Sequence, residues 1–405
     1  MKLNYLIASL ALLSTLVGCQ DAIEYTPSIY MAEAQVEPAK TITIYEVGEK
    51  AKCSVASSVV VEKDVHVSLE ICPELLDAYN TKYGKTCQLL SADSYEFSKK
   101  EVTIAAGGNI SDAAEISITK ALAPGTFYCL PVRIVKSDGT LAILEPSRTL
   151  FLIFRVPVKS KAVFIGGANK YIVPGFHINP KMGEVNLAAL PELTLECRVF
   201  VKTFTTHDPY ISSVMGLEGN VCVRFGDVKI GYDVLQVCKG DYQPAAISTP
   251  CVTGKWYHVA AVWSSTSLKV YIDGKFITET KNQGEKVDIS ELQEWKGNSA
   301  LGFALGAGSN YNSNRPLNGY LAEARVWTRA LTTSELANIK DLVIVDPKSP
   351  DLLAYWKMNV AEPTTETFPV FSQYWRIKNK IVDQTGHGYD AYGMSAAPTF
   401  LDATW

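Results

Sequence analysis

Two stretches of the 405-residue chain combine aromatic side chains with groups that bind hydroxyls. One is His207-Asp208-Pro209-Tyr210, and the other is the asparagine-rich segment 309–315. Aromatic faces stack on the C–H surfaces of pyranose rings, and amide, carboxylate and guanidinium groups bind sugar hydroxyls. The candidate carbohydrate-binding residues are Asp208, Tyr210, Trp295, Asn310, Tyr311, Asn312, Asn314 and Arg315. Each could equally be part of an ordinary polar loop or, for the aromatics, of a core.

Residues for acid–base or covalent catalysis do not form a pattern that fits a known mechanism. A retaining glycosidase needs two carboxylates about 5–5.5 Å apart. The nearest candidates are Glu285, Asp288 and Glu291, whose spacing differs by one residue from the alternation that puts side chains on one face of a strand. They also lie in a polar stretch that indicates a loop. Glu323 alternates with Arg325 and is interpreted as its structural partner. The five histidines are scattered. The sequence therefore predicts no catalytic residue.

The first 19 residues have the pattern of a targeting segment. An apolar run from Tyr5 to Val17 is too short to span a hydrocarbon core that needs about 20 residues, and it ends at Gly18-Cys19. This ending resembles the lipobox of bacterial lipoproteins, which implies a signal peptide over residues 1–18 and lipidation of Cys19. The alternative is a non-lipidated signal peptide. Asp21 and Glu24 resemble the signal that sends Bacteroidota lipoproteins to the outer face of the outer membrane.

The composition is that of a soluble globular protein, with 47% hydrophobic and 20% charged residues. The 38 basic and 42 acidic residues give a net charge of −4, so no basic excess exists to bind nucleic acid. Eight cysteines follow Cys19. Most lie inside apolar runs, where cysteine acts as a small hydrophobe, and their disulfide state is left open. No C-x-x-C pair and no zinc-like histidine spacing occurs, so structural zinc is not expected.

The region 36–157 alternates β-forming residues at period two. Strands are predicted at Thr41–Tyr45, Asp64–Glu70, Glu101–Ile104, Ala114–Thr119, Thr126–Ile134 and Thr149–Val156, with one helix between Pro73 and Gly84. The order of Leu75-Leu76-x-x-Tyr79-Asn80-x-x-Tyr83-Gly84, Val102-Thr103-Ile104 and Tyr128-Cys129-Leu130-Pro131-Val132 resembles an N-terminal domain of unknown function in Bacteroidota surface lipoproteins. The resemblance implies an immunoglobulin-like β-sandwich that acts as a spacer. Residues 19–35 are expected to form a lipidated tether, and Pro157–Lys161 a linker.

Residues 161–405 are strand-dense with one peripheral helix, which predicts a two-sheet jelly roll. Trp256–Trp263 and Leu268–Ile272 read as a pair of strands followed by an Asp273-Gly274 turn, and Thr332 and Glu335 have capping-box spacing. Together with Asn318–Trp327 and Leu353-Ala354-Tyr355-Trp356, these segments resemble a laminin-G-like domain of the concanavalin-A type in their order along the chain. An aromatic insertion over 360–382, with Phe368, Phe371, Tyr374 and Trp375, departs from that pattern.

The concanavalin-A-type resemblance implies either a lectin or a glycoside hydrolase. Related glucanases carry Glu-x-Asp-x-x-Glu on one strand, and no such segment occurs in this sequence. Relatives often hold Ca²⁺ through Asp and Asn oxygens, for which Asp383 is a candidate, although its side chain could instead cap a turn. We therefore expect an all-β, lipid-anchored, non-catalytic surface protein that captures a poly- or oligosaccharide for neighbouring transport or hydrolase proteins. The alternatives are an adhesive, protein-binding lipoprotein and a divergent glycosidase.

Overall fold

The computed structural model describes residues 26–167, 169–281, 284–295, 298–308, 315–339, 345–368 and 376–404, with the backbone alone for residues 293–295 and 298–301. The described chain is nearly all β and divides into two compact units. The first comprises the chain up to Tyr79, Cys87–Leu122 and Phe127–Arg155, and the second comprises Asn80–Thr86, Ala123–Thr126 and the chain from Val156 onward. This confirms the all-β fold class. The predicted linker at Pro157–Lys161 is wrong in part, because the first strand of the second unit begins at Lys159.

The first unit contains twelve strands in three sheets. They are β1 (Ser28–Met31), β2 (Ala39–Thr43), β3 (Lys50–Cys53), β4 (Val55–Ser57), β5 (Val65–Ile71), β6 (Gln88–Leu89), β7 (Tyr95–Phe97), β8 (Glu101–Ile104), β9 (Ala114–Ile118), β10 (Phe127–Ser137), β11 (Ala142–Ile143) and β12 (Thr149–Arg155). The sheet orders are β11-β1-β4, β2-β12-β10-β5-β8 with β6 on β10, and β3-β9-β7. The predicted tether over 19–35 is wrong from Ser28 onward, since β1 pairs with both β4 and β11.

In the first unit, buried and exposed side chains alternate along the strands, as the alternating pattern of the sequence predicts. In β5, Val65, Val67 and Leu69 are buried while His66 and Glu70 are exposed, as expected for a strand with one face on a core. Helix α1 (Leu76–Tyr83) follows a 3-10 turn at Pro73–Leu75 and ends at Gly84, whose φ of +59° is left-handed. Tyr79 of α1 stacks on Phe151 of β12 with ring centroids 4.3 Å apart.

The described residues of the second unit form twenty strands and two short helices, α2 (Gly175–Ile178) and α3 (Thr333–Ile339). The strands are β13 (Lys159–Ile165), β14 (Tyr171–Ile172), β15 (Lys181–Met182), β16 (Val185–Asn186), β17 (Leu193–Val201), β18 (Ser212–Leu217), β19 (Val221–Asp227), β20 (Ile230–Cys238), β21 (Trp256–Trp263), β22 (Ser267–Ile272), β23 (Lys275–Lys281), β24 (Gln293–Trp295), β25 (Asn298–Leu301), β26 (Ala304–Leu305), β27 (Gly319–Trp327), β28 (Leu352–Trp356), β29 (Glu362–Pro363), β30 (Asn379–Ile381), β31 (Ala391–Gly393) and β32 (Phe400–Thr404).

Two eight-stranded sheets form the body of the second unit. The back sheet has the order β23-β22-β21-β17-β27-β13-β32 with β28 on β27, and the front sheet has the order β20-β19-β18-β26-β14-β31-β30-β29. Inward-facing residues of both sheets form one hydrophobic core. On β17, Leu195, Cys197 and Val199 belong to this core and Glu196 does not. Each fully buried aliphatic side chain contributes about 1.5–3 kcal/mol, so this alternation fixes which face of each strand can carry polar chemistry.

The turn and the helix cap that the sequence predicts in the second unit are confirmed. Asp273 and Gly274 have φ values of +50° and +71°, and they join β22 to β23 as the predicted turn. Thr332 caps α3, because its backbone N–H donates to Glu335 Oε2 at 2.8 Å and the Glu335 N–H donates to Thr332 Oγ1 at 3.2 Å. Among the residues that the structure describes, no helix is long and apolar enough to cross a membrane.

Candidate functional site

The outer face of the front sheet carries a group of buried polar side chains. On β19, Val221, Val223 and Phe225 enter the core, so Cys222 and Arg224 point to the opposite face. We call this group the polar cluster, and its members are Ser213, Glu218, Arg224, Asp227, Gln236 and Arg315. Arg315 precedes β27, and the other five come from β18, β19, β20 or the segments that flank these three strands.

Arg224 is the centre of the polar cluster. Its Nη1 donates to Glu218 Oε1 at 3.1 Å, its Nη2 to Asp227 Oδ2 at 2.6 Å and its Nε to Gln236 Oε1 at 3.0 Å. Arg315 Nη1 donates to the same Glu218 Oε1. Burial alone would lower the pKa of Arg224, but the surrounding thiols and carboxylates raise it overall. The guanidinium therefore stays charged, and its hydrogen bonds fix the carboxylates in place.

Two acceptors of the polar cluster are buried and lack a hydrogen-bond partner in the described part of the chain. They are Ser213 Oγ and Glu218 Oε2. Both lie beside Gly308: a Cβ at this position would be 2.5 Å from Ser213 Oγ and 2.8 Å from Glu218 Oε2. A buried polar group without a partner costs about 1–3 kcal/mol. Glycine at position 308 thus lets this segment pack closely against two buried oxygens that have no donor among the described residues.

The described residues of the two segments predicted to bind sugar lie close together at the start of β18. The Ser213 N–H donates to the carbonyl of Arg315 at 3.0 Å, so the end of the asparagine-rich segment lies next to the strand that Tyr210 precedes. Tyr210 has a φ of +63° and follows a cis Asp208–Pro209 bond. A Cβ at Gly226 would be 1.9 Å from the Tyr210 carbonyl oxygen and 2.9 Å from Tyr232 Cα, so only glycine allows this approach.

Tyr210 and Tyr232 form an exposed aromatic rim near the polar cluster. They are 38% and 46% exposed, and the Tyr232 ring lies 6.0 Å from that of Phe204. Asp208 is also exposed, and it interacts with other residues of the chain. The structure therefore brings Tyr210 and Arg315, which come from the two separate candidate segments, to one end of the front sheet.

The other predicted site residues have no described side chain. Cys19, Asn310, Tyr311, Asn312 and Asn314 lie outside the described residues, and so do Phe371, Tyr374 and Trp375 of the aromatic insertion. Trp295 ends β24, where the backbone alone is described. Their proposed roles stay predictions.

The described part of the aromatic insertion packs on the other half of the front sheet. Phe368 meets Tyr392 of β31 in an edge-to-face arrangement with centroids 4.7 Å apart, next to a small cluster that includes Ile172 and Ile377. The Tyr392 hydroxyl donates to Glu366 Oε2 at 2.7 Å, and Lys380 Nζ lies 3.1 Å from Glu366 Oε1. The insertion thus covers an apolar half of the sheet whose opposite half carries the polar cluster.

A second group of charges lies on the outer face of the back sheet and is inaccessible. Arg325 is 1% exposed and donates to Glu196 Oε1 at 3.2 Å and to Glu323 Oε2 at 2.7 Å. His258 Nε2 lies 2.6 Å from Glu196 Oε2, and the Tyr355 hydroxyl donates to Glu323 Oε2. The predicted pairing of Glu323 with Arg325 is confirmed.

The two carboxyls of this back-sheet network differ in pKa. Burial tends to raise the pKa of Glu196, but Arg325, His258 and Trp327 lower it to about 2. Burial raises the pKa of Glu323 against the opposing effects of Arg325 and Tyr355. Opposite shifts of two nearby acids are a feature of glycosidase sites, yet here Arg325 is bound to both acids and no substrate can reach either. The arrangement is structural.

Asp383, the candidate calcium ligand, already receives four hydrogen bonds. Its Oδ1 accepts from the N–H groups of Tyr355 and Thr385 at 3.0 Å each. Its Oδ2 accepts from Thr385 Oγ1 at 2.7 Å and from the Tyr389 N–H at 3.3 Å. The carboxylate therefore caps the turn. Within the described ranges no group of three or more His, Cys, Asp or Glu side chains is placed to hold a metal ion.

Comparisons with known proteins define the class of the second unit. The family model of the concanavalin A-like lectin/glucanases superfamily, of the laminin G type, matches residues 183–337, and a family model for an N-terminal domain matches residues 25–141. The C-terminal unit is a concanavalin-A-like, laminin-G-type domain, which confirms the resemblance found in the sequence. No curated protein sequence matches the chain significantly.

Solved structures resemble this chain to different extents. A protein from Bacteroides ovatus, described as a candidate carbohydrate binding protein, is 23% identical over 92% of this chain and 97% of its own, with a TM-score of 0.53. A two-domain protein of unknown function from Bacteroides fragilis is 11% identical over 69% of this chain and 95% of its own, with a TM-score of 0.28. Trypanosoma rangeli sialidase is 17% identical over 37% of this chain and 22% of its own, with a TM-score of 0.27. The similarity to the Bacteroides ovatus structure shows the fold, and the similarities to the other two structures are too low to support a conclusion.

Proposed function

We propose that the C-terminal domain binds a neutral oligosaccharide at the polar cluster and the aromatic rim. The observation that carries this proposal is the pair of exposed tyrosine rings, Tyr210 and Tyr232, beside a polar cluster whose Asp227 and Arg315 side chains are partly exposed. Sugar hydroxyls can donate to the Asp227 carboxylate and accept from the Arg315 guanidinium. Tyr210 and Tyr232 provide exposed rings for the apolar face of a pyranose.

The charges of the polar cluster favour a neutral ligand. Arg224 is bound to the carboxylates of Glu218 and Asp227, and Arg315 is bound to Glu218 as well. Two cations and two anions cancel, so the cluster has no excess positive charge for a uronate, sialyl or sulfated sugar. Such an anion would also be repelled by the unpartnered oxygen of Glu218.

The proposed activity is binding without cleavage. The buried acids Glu196 and Glu323 are neutralised by Arg325 and cannot serve as a catalytic pair. The concanavalin-A-like family and the description of the Bacteroides ovatus structure both support carbohydrate as the ligand class. A divergent glycosidase would have to hydrolyse the glycan it binds. Mass spectrometry of the glycan after a long incubation with the protein detects such hydrolysis directly.

The proposed setting is the outer face of the outer membrane. Cys19 would carry the lipid anchor, the N-terminal unit would act as a spacer, and the C-terminal domain would hold a glycan near transport or hydrolase proteins. The lipobox-like end of the apolar run supports this setting. Metabolic labelling with an alkyne fatty acid tests it: the wild-type protein should be labelled and Cys19→Ala should not. Equal labelling of both would refute the anchor.

A glycan array with the purified full chain tests the binding proposal. We expect binding to at least one neutral glycan, and about 5-fold weaker affinity for Tyr210→Ala and for Tyr232→Ala, because losing one stacked ring costs about 1 kcal/mol. Tyr45→Ala, which removes a tyrosine that is 75% exposed in the N-terminal unit, is the matched control and should leave affinity unchanged. Binding that survives both rim variants, or capture of a protein that sugars do not displace, would contradict the proposal.

A further inference from the structure

Two cysteines lie directly opposite each other on neighbouring strands of the front sheet. Cys222 of β19 and Cys238 of β20 are register partners in an antiparallel pair. Opposite residues in such a pair have Cα atoms about 4.5 or 5.5 Å apart, and both separations are within the range of about 4.4–6.8 Å that a disulfide spans. Val223 and Val237, which are next to these cysteines in the chain, enter the core. The side chains of Cys222 and Cys238 therefore lie on the outer face.

The two thiols are in contact with each other and with the polar cluster. Cys222 and Cys238 are free thiols that are hydrogen-bonded to one another. The Cys238 thiol also donates to Gln236 Oε1 at 3.2 Å, the oxygen that accepts from Arg224 Nε. No other pair among the eight described cysteines occupies opposite positions on adjacent strands. The pair is therefore set apart from the remaining buried cysteines by geometry.

We propose that Cys222 and Cys238 are a disulfide-forming pair that locks the β19–β20 hairpin behind the polar cluster. The oxidant is a disulfide of the glutathione type. One protein thiolate attacks the oxidant, forms a mixed disulfide and releases one glutathione thiolate. The second protein thiolate then attacks the protein sulfur and displaces the second glutathione. Two protein thiols and one glutathione disulfide thus give one protein disulfide and two molecules of reduced glutathione, with two electrons transferred.

The same structure predicts that the exchange is slow in the folded protein. The residues of Cys222 and Cys238 are only 5% and 7% exposed. The hydrogen bond that the Cys222 thiol makes to Cys238, together with burial, raises the pKa of the Cys222 thiol well above its usual value. The attacking form is the thiolate, so oxidation should be faster at higher pH and fastest while the hairpin is still open during folding. Once formed, the bond closes a short loop and should raise the melting temperature of the C-terminal domain.

Peptide mapping of the full chain tests this proposal. The chain is incubated natively with oxidised and reduced glutathione at pH 8.5, and a second sample is refolded from urea in the same buffer. Remaining thiols are alkylated and the protein is digested with trypsin without reduction. Cleavage after lysine and arginine puts Cys222 in the peptide 203–224 and Cys238 in the peptide 230–239. We expect a disulfide to join these two peptides, with a mass that is two hydrogen atoms lower than the sum of the two peptide masses.

Internal controls make the result decisive. Cys197 and Cys251 are buried in the core of the same unit and should stay alkylated and unlinked. The double variant C222A/C238A should lack the joined peptides and should show the same melting temperature in oxidising and reducing buffer. Unlinked, separately alkylated 203–224 and 230–239 peptides in both the native and the refolded samples would overturn the proposal. So would random linkage in which Cys197 or Cys251 joins as often as Cys222.

Discussion

Replacing Gly308 by alanine fills the space beside the two unpartnered acceptors of the polar cluster. The φ of Gly308 is not left-handed, so alanine adopts the same backbone without strain. Its Cβ would start 2.5 Å from Ser213 Oγ and 2.8 Å from Glu218 Oε2. The Ser213 side chain can rotate away about χ1, whereas both arginines hold Glu218 through its other oxygen. Overpacking of this kind costs about 1–3 kcal/mol of folding stability, which the domain should survive.

The effect of this substitution on binding should exceed its effect on stability. A hydrogen bond between a ligand hydroxyl and a charged group contributes about 1.5–3 kcal/mol. Displacing Glu218 also moves Arg315, which it binds, and should therefore weaken glycan affinity by about 10- to 100-fold, measured by isothermal titration calorimetry on protein shown to be folded by its melting curve. Gly231→Ala is the control, because that Cβ meets mainly the flexible Asp233 side chain on exposed β20.

Ser213→Ala separates the loss of the serine hydroxyl from the added volume. This hydroxyl is buried and has no partner among the described residues, so its removal should leave affinity within a factor of two of the wild type. A folded Gly308→Ala protein that also binds within a factor of two of the wild type would contradict a role of Glu218 and Arg315 in the site.

Further predictions concern the back sheet and the helix cap. Glu196→Gln should lower the free energy of unfolding by about 3–5 kcal/mol in urea titrations, because it leaves the buried charge of Arg325 without one of its partners; a loss below about 1 kcal/mol would contradict the network. The pKa of Glu196 is lowered to about 2 from an ordinary value of 4.5, so its ionised form stabilises the fold above pH 4.5, and this contribution should disappear as pH falls from 4.5 to 2. In a pH series of melting curves, the variant should therefore show a shallower acid decline than the wild type. Thr332→Ala should cost about 1 kcal/mol, as loss of a helix cap does, and an unchanged melting temperature would argue against the Thr332–Glu335 box.

The elements that the sequence predicts well are those with short-range causes. The Asp273-Gly274 turn needs positive φ at two adjacent positions, and the Thr332–Glu335 box needs only a spacing of three residues. Strand β1 shows the limit of such reasoning. Ser28–Met31 becomes a strand through pairing with β4 and with the distant β11, and nothing within the segment itself indicates these partners.

The candidate site was predictable only in part. Tyr210 and Arg315 stand out because aromatic and guanidinium groups in loops suit a ligand, but their convergence depends on the pairing of β18, which the sequence does not reveal. The sequence analysis does not include Arg224 among the candidate site residues. Its signal was available: it occupies an outward position in the alternating run Val221–Phe225, where a charge facing away from the core needs partners. Glu218 could not be assigned as that partner without the strand register.

Calorimetric titration of the full chain with the neutral glycan that the array identifies tests the central claim most directly. The account predicts saturable binding by the wild type, loss of most of that affinity in Gly308→Ala and retention of affinity in Gly231→Ala. Glycan binding that is equal in all three folded proteins, or no binding of any neutral glycan by the wild type, would contradict it.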